Sequence, residues 1–233
     1  MDCNQQVSAI VQQAKACCVV MRQLGSATKS GVLLEVARQI RSRGDFIQQE
    51  NRKDLEFGRS KGLSPALLER LELTPKRIEE MATGVEEIVA LPDPVGEVTR
   101  MWRRPNGMQV GRMRVPLGVI AIIYESRPNV TIDAASLCFK SGNVSVLRGG
   151  SEAAHSNEAL ISVFRRACVA KGVPAEVVSS LGTTERDAVQ ALLKMDAYVD
   201  VVIPRGGKSL IRNVMENSTI PVIKHYEVSV ISL

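Results

Sequence analysis

The 233-residue sequence is poor in aromatic and histidine side chains, with four Phe, three Tyr, one Trp and two His. The core must therefore be largely aliphatic, which favours parallel strands packed beneath helices. The histidines, His155 and His225, have no partner at ligand spacing, so no metal site is predicted. We expect His155 to lie at the surface, in the first turn of a helix.

Paired cysteines and long hydrophobic runs are also missing. The five cysteines include no Cys-x-x-Cys pair and no signal peptide precedes them, which indicates a reduced, cytoplasmic protein. Their predicted positions on helices favour inert packing over nucleophilic catalysis, and no convincing nucleophile is left. The longest apolar run, around Val119 to Tyr124, is too short to cross a membrane, so no membrane partner is expected.

The net charge of +5 permits acidic partners without choosing among them. Nucleic acid, an anionic membrane surface and phosphorylated or carboxylated small molecules all remain compatible with it. The basic residues are scattered along the chain except in one cluster, which comprises Arg100, Arg103, Arg104, Arg112 and Arg114.

Residues 1–97 are predicted to form a helical N-terminal segment. Apolar residues recur at helical spacing in Val7–Leu24 and Val32–Ile40, and Asp45–Phe57 is predicted to be a third helix. Ser64-Pro65 and Thr74-Pro75 each place a capping hydroxyl before a proline at the first helical position, which predicts two further helices. The prolines of Leu91-Pro92-Asp93-Pro94 end the second of these and mark a candidate boundary.

Residues 98–115 are predicted to be a β-hairpin arm, because polar and apolar residues alternate on both sides of Asn106-Gly107. Nucleic-acid contact is one interpretation of its arginines. Since Trp102 is the one aromatic residue among them, an edge or interface arm fits the pattern better than a nucleic-acid site.

Residues 116–227 are predicted to be an α/β domain with a parallel sheet covered on both faces. Short apolar runs alternate with amphipathic stretches, of which Glu152–Lys171 is the clearest helix. The predicted strands are Leu117–Tyr124, Val144–Leu147, Val177–Leu181, Val199–Ile203 and Ile220–Ile223.

Ligands of such sheets bind beyond the carboxyl ends of the strands, so the loops that follow the strands are the candidate site. These loops hold Glu125 to Asn129, Arg148-Gly149-Gly150-Ser151, Gly182-Thr183 and Arg205-Gly206-Gly207. Glycines, free N–H groups at helix starts and arginines suit a phosphate or a carboxylate. The alternative is that each Arg-Gly-Gly is a simple turn with a solvated arginine. A standard P-loop is excluded because Val202 replaces its first glycine, and no Gly-x-Gly-x-x-Gly follows a strand.

Three segments carry a specific resemblance: VPLGVIAIIYESRPNVTIDAASLCFKSGN, VSVLRGGSEAAHSN and VDVVIPRGG. They resemble the γ-glutamyl phosphate reductase (glutamate-5-semialdehyde dehydrogenase) family of the aldehyde dehydrogenase superfamily, and the resemblance extends over nearly the whole chain. It implies a variant Rossmann sheet and NADPH-dependent reduction of γ-glutamyl phosphate in proline biosynthesis. It also implies a cysteine nucleophile, hydride transfer to a thioester and, for the hairpin, pairing between subunits in a homo-oligomer.

The resemblance also implies residue roles. Arg148, Gly149, Gly150 and Ser151 would lie near the cofactor ribose and phosphate. Arg205, Gly206 and Gly207 would face the pyrophosphate. Asn129 would provide the oxyanion hole, and Arg127 would hold an acidic group of the substrate.

The family's pattern continues beyond IPVIKHYE into a catalytic domain that contains the nucleophilic cysteine, whereas residues 228–233 read VSVISL. None of the cysteines present lies in the family's nucleophile context. We therefore expect this chain to lack the C-terminal catalytic domain and to be inactive alone. The alternatives are a dinucleotide-binding or complementing fragment that pairs with a missing C-terminal half and, from the arginine-rich hairpin, a nucleic-acid-binding protein.

Overall fold

A computed structural model describes residues 3–183 and 185–224 of the chain. His225 and the predicted atypical end at residues 228–233 lie outside this description. Within it, the helical N-terminal part comprises α1 (Cys3–Gln23), α2 (Ser26–Ser42), α3 (Gly44–Ser60), α4 (Pro65–Leu71) and α5 (Pro75–Ala90). The helices predicted from periodicity and from the two Ser/Thr-Pro caps are confirmed.

The two predicted caps have the expected geometry. The Ser64 hydroxyl accepts a hydrogen bond from the Leu67 N–H at 3.4 Å, and the Thr74 hydroxyl accepts one from the Arg77 N–H at 3.2 Å. The Thr74 hydroxyl satisfies a backbone donor that the first turn of a helix leaves without a partner, whereas the Leu67 N–H also donates to the Ser64 carbonyl oxygen at 2.9 Å. The caps therefore fix where α4 and α5 begin.

The predicted hairpin is confirmed as β1 (Val98–Arg103) and β2 (Gln109–Met113), which pair antiparallel. Most of its side chains are exposed, and Trp102 and Val110 are half-buried. The Arg100 guanidinium lies 5.4 Å from the centre of the Trp102 ring, within the range of a cation–π contact. Its role as an interface arm stays a prediction.

The second half of the chain forms a four-stranded parallel sheet in the order β5-β4-β3-β6. Its strands are β3 (Val119–Tyr124), β4 (Val144–Arg148), β5 (Val178–Ser180) and β6 (Val201–Arg205). The intervening helices are α6 (Asn129–Lys140), α7 (Ala154–Ala170), α8 (Arg186–Leu192) and α9 (Lys208–Asn217). The fifth predicted strand, Ile220–Ile223, is reduced to a single parallel bridge between Val222 and Val202.

The N-terminal helices pack on this sheet. All six residues of β3 are buried, which requires cover on both faces of the sheet. Helices α1 and α8 pack together, α6 and α7 contact the strands, and α2, α3 and α5 lie against α6 and α7. One hydrophobic cluster thus runs from Val7 in α1 to Ile220. The division at residues 97 and 115 stays a prediction.

Candidate functional site at the carboxyl edge of the sheet

The loops that follow β3, β4 and β6 meet at one edge of the sheet and are joined there by carboxylates. Glu125 Oε2 accepts a hydrogen bond from the Gly207 N–H at 2.9 Å, which links the loops after β3 and β6. Glu152 Oε1 accepts hydrogen bonds from the N–H and the hydroxyl of Ser126, at 2.8 and 2.5 Å, which links the loops after β3 and β4. The sequence placed these loops together correctly, but it did not predict that two carboxylates connect them.

Arg148, Gly149 and Gly150 line a cavity of about 520 Å³ beyond β4 and β5. A Cβ atom at Gly149 would lie 2.1 Å from Asn157 Nδ2, so this backbone position accepts no side chain. Gly182, predicted from the loop after β5, lines the same cavity. Ser151 is exposed, in a short 3-10 turn before α7, and is absent from the cavity lining.

A buried polar chain supports the Gly149 turn from below. The Tyr124 hydroxyl lies 2.7 Å from the Thr131 hydroxyl, which donates to Asn157 Oδ1 at 2.8 Å. Burial raises the pKa of Tyr124 to about 12, which keeps the phenol neutral and able to share its proton in this network. The end of β3, the first turn of α6 and the first turn of α7 are thereby held around Gly149.

The start of α7 differs from the expectation of free N–H groups. Asp54, which is 2% exposed in α3, accepts hydrogen bonds from the N–H groups of His155 and Ser156 at 3.1 and 2.7 Å. It also accepts one from the Ser156 hydroxyl at 2.6 Å. Asp54 in α3 thus occupies two N–H donors at the start of α7 that a ligand would otherwise use, so the expectation is wrong for these two groups.

Gly206 and Gly207 form the turn that leads into α9, as the sequence predicted, whereas Arg205 is the last residue of β6 rather than a loop residue. Arg205 is exposed, and Gly207 is the residue immediately before the helix. A Cβ atom at Gly206 would lie 2.6 Å from the Glu125 carboxyl carbon, so that carboxylate packs directly against the turn. The N–H of Gly207 is thus bound by an internal anion.

Arg127 and Asn129 line a second cavity, of about 400 Å³, which lies between α4, α5 and the start of α6. Asn129 is the first residue of α6 rather than a loop residue, because the helix begins directly after Pro128. Its Nδ2 donates to Asp133 Oδ2 at 3.4 Å. Burial raises the pKa of Asp133, although Asn129 and Arg205 oppose that effect. Of the predicted cofactor residues, Arg148, Gly149 and Gly150 therefore line one cavity, and the predicted substrate residue Arg127 lines the other together with Asn129. Ser151, Arg205, Gly206 and Gly207 line neither cavity.

Some lining residues were missed because they come from helices that the sequence marked only as packing elements. Phe46 and Glu50 of α3 line the larger cavity together with His155, which is exposed in the first turn of α7 as predicted. Arg70 and Arg77 of α4 and α5 line the smaller cavity. Helical periodicity identifies the buried face of such helices, but it does not tell which cavity the polar face borders.

The cysteines are placed as inert packing residues would be. Cys17, Cys18, Cys138 and Cys168 are buried, and burial raises the pKa of Cys138 and of Cys168 to about 12. A thiol with so high a pKa is a poor nucleophile near neutral pH. None of the five cysteines lines either cavity.

Within residues 3–183 and 185–224, no three His, Cys, Asp or Glu side chains converge as metal ligands would. No helix there combines the length and the apolar character that crossing a membrane requires.

A parallel sheet under helices, with glycine and arginine loops at its carboxyl edge, defines an α/β protein of the class that binds small ligands at that edge. Comparison with protein families is more specific, since the aldehyde dehydrogenase family model matches residues 2–227. The chain belongs to the aldehyde dehydrogenase family, a family of oxidoreductases, and the resemblance found in the sequence is confirmed.

Similar curated proteins are more specific than the family model. The γ-glutamyl phosphate reductase of Citrifermentans bemidjiense is 52% identical over 227 residues, which are 97% of this chain and 54% of that protein. The γ-glutamyl phosphate reductase of Moorella thermoacetica is 54% identical over 213 residues, which are 91% of this chain and 51% of that protein. The chain thus spans about half the length of the curated relatives it matches.

Solved structures agree with the fold. The crystal structure of γ-glutamyl phosphate reductase from Thermotoga maritima superimposes with a TM-score of 0.91 at 39% identity, covering 93% of this chain and 52% of that one. The Saccharomyces cerevisiae γ-glutamyl phosphate reductase gives 0.86 at 28% identity, covering 95% and 56%. The predicted aldehyde dehydrogenase-like fold with a helical N-terminal segment is confirmed.

Proposed function

We propose that the chain supplies the nicotinamide-dinucleotide-binding part of a γ-glutamyl phosphate reductase. The activity would be the NADPH-dependent reduction of γ-glutamyl phosphate to glutamate 5-semialdehyde, in proline biosynthesis and in the cytoplasm. The observation that carries the proposal is the 520 Å³ cavity beyond β4 and β5, bordered by Arg148 and by a glycine turn that leaves no room for a Cβ atom. The names of the similar reductases support the choice of substrate.

The residues present fit a dinucleotide. Gly149 and Gly150 allow a ligand to approach the backbone, Arg148 offers a charge-assisted contact to a phosphate, and Phe46 offers an apolar wall. The cofactor, when bound, would supply the hydride. The chain's own residues would bind and orient it, and Asn129, which lines the smaller cavity, would serve as a hydrogen-bond donor to an oxyanion.

Isothermal titration of NADPH and NADH into the 233-residue chain tests this function. We expect saturable binding with preference for NADPH, and about tenfold weaker NADPH binding in Arg148→Gln, because a charge-assisted contact to phosphate is lost. Arg166→Gln, an exposed arginine on the second half of α7, is the matched control. Absence of dinucleotide binding in the unaltered chain would overturn the proposal.

Activity is a separate measurement. Since none of the five cysteines lines either cavity, we expect no NADP-dependent oxidation of glutamate 5-semialdehyde by this chain alone. If the complementing interpretation holds, adding the separately expressed C-terminal half of the Citrifermentans bemidjiense reductase should produce turnover. Full turnover by the chain alone would contradict the assignment of its cysteines to packing.

A further inference from the structure

The smaller cavity has a lining of mixed charge that the sequence did not reveal. Three arginines, Arg70, Arg77 and Arg127, border it together with three carboxylates, Glu72, Glu80 and Asp133. They come from three parts of the chain: the α4–α5 corner, the loop after β3 and the second turn of α6. A cavity that binds only phosphate would gain nothing from three carboxylates, because like charges repel.

The arginines are available to a ligand. Across the part of the chain that the structure describes, the side chains of Arg70 and Arg127 form no hydrogen bond or ion pair. Arg77 is held in place, since its Nη1 donates to the carbonyl oxygen of Glu72 at 2.8 Å and also to that of Glu69. Its Nη2 lies 4.0 Å from Glu69 Oε1, too far for a hydrogen bond. Arg77 is therefore positioned in advance while part of its guanidinium remains unbonded.

The three carboxylates make only weak contacts with other side chains of the described chain. Glu80 lies 3.8 Å from the exposed Lys76 ammonium, a pair of the surface type that contributes little. Asp133 receives one long hydrogen bond, from Asn129 at 3.4 Å. Glu72 is exposed at the C-terminal end of α4. Opposite charges thus face one cavity without neutralising each other in close ion pairs.

We propose that this cavity binds the α-amino-acid end of the substrate, with the arginines holding the α-carboxylate and the acidic residues holding the α-ammonium group. The inference rests on the proposed function, and it extends substrate binding from Arg127 to Arg70 and Arg77. Formal charges of the lining cancel, as complementarity to a zwitterion requires. Asn129 borders the same cavity, so a short substrate held by its amino-acid end lies beside the proposed oxyanion donor.

Calorimetric titration of three probes into the 233-residue chain tests the inference. L-Glutamate carries both groups, glutarate lacks the ammonium group and 4-aminobutyrate lacks the α-carboxylate. We expect L-glutamate to bind at least about tenfold more tightly than either analogue, because each analogue leaves charged groups of the cavity without a partner. Equal binding of the three probes, or no detectable binding of L-glutamate, would overturn the inference.

Two single-residue variants test which side chains bind L-glutamate. Arg70→Gln and Arg127→Gln should each weaken L-glutamate binding about tenfold through loss of a charge-assisted hydrogen bond. Arg166→Gln should leave it unchanged. Arg77 is not substituted in this experiment, because its guanidinium also joins α4 to α5. Unchanged L-glutamate affinity in both variants would refute the assignment.

A parallel NADPH titration separates the two proposals. If the chain binds NADPH and both arginine variants bind L-glutamate as tightly as the unaltered chain, only the amino-acid site is refuted. If the chain binds L-glutamate selectively but not NADPH, the proposed dinucleotide function is refuted and the amino-acid site stands.

Discussion

Asp54 in α3 caps α7 through Ser156, whose N–H and hydroxyl both donate to Asp54 Oδ2, at 2.7 and 2.6 Å. Asn51, one turn earlier in α3, donates to the Ser156 hydroxyl at 3.0 Å and to the Leu71 carbonyl oxygen at 2.8 Å. These residues are buried. A helix of the N-terminal segment therefore determines the start of the helix that follows the candidate cofactor loop.

Asp54→Ala is expected to destabilise the protein by about 3 kcal/mol, because the buried N–H and hydroxyl of Ser156 lose their acceptor. Urea denaturation measures the change. Glu56→Gln, at an exposed position of the same helix, should shift the free energy of unfolding by less than about 0.5 kcal/mol. A similar stability for Asp54→Ala and the unaltered chain would mean that the cap is dispensable.

Gly149→Ala should cost about 1–3 kcal/mol of stability and weaken dinucleotide binding, because the added Cβ atom would meet Asn157 Nδ2 at 2.1 Å. Gly84→Ala is the matched control. Gly84 lies inside α5, where a Cβ atom would meet nothing within 4 Å, so this change should stabilise the protein by about 0.5–1 kcal/mol. Thermal denaturation of both variants checks the contrast, and equal shifts would contradict it.

The Lys29–Asp93 pair predicts a pH dependence of stability. Lys29 Nζ lies 2.6 Å from Asp93 Oδ2, with side-chain exposures of 1% and 15%. Burial acts to raise the pKa of Asp93, but the hydrogen bonds from Lys29 and the Val95 N–H outweigh it and hold the pKa below its ordinary value. The pair's contribution should be complete above the pKa of an unfolded aspartate, about 4, and disappear as the pH falls through the folded-state pKa.

Asp93→Asn should cost about 3 kcal/mol at pH 7, because it leaves the Lys29 ammonium buried without its counter-charge. The double variant that carries both Asp93→Asn and Lys29→Met should recover part of the lost stability. Urea denaturation from pH 7 to pH 3 measures both effects. A stability difference between the Asp93→Asn variant and the unaltered chain that stays constant down to pH 3 would contradict the assigned role of the ion pair.

Glu125→Ala is expected to tighten NADPH binding about threefold to tenfold, provided that the dinucleotide site proposed above is correct. The Glu125 carboxylate accepts the Gly207 N–H at 2.9 Å and repels a phosphate approaching the Arg205-Gly206-Gly207 turn. Glu216→Ala removes the same charge from the exposed far end of α9 and serves as the control. Titration calorimetry of both variants is the measurement, and unchanged or weaker binding in Glu125→Ala would show that its carboxylate does not compete.

The alternation of apolar residues, the proline caps and the Asn-Gly turn were sufficient to predict the helices, the hairpin and four strands of the sheet. These signals are local, because helical period, capping and turn geometry depend on residues within a few positions of each other. Val222 shows the limit of such signals. Its apolar run predicts a strand, but only one bridge to Val202 forms in the described part of the chain.

The loops after the strands could likewise be assigned to one edge, because parallel strands bring their carboxyl ends together whatever the sequence between them. Which groups meet there depends on the packing of distant helices. Asp54 contacts Ser156 at the start of α7, although 102 positions separate the two residues in the chain. Likewise, Arg70 and Arg77 join Arg127 at one cavity only because α5 packs beside α6 and Arg77 links α5 to α4. Contacts between residues so far apart in sequence leave no periodic or spacing signal, so only the folded chain could place the Asp54 cap and the mixed-charge cavity beside the loops that the sequence had already identified.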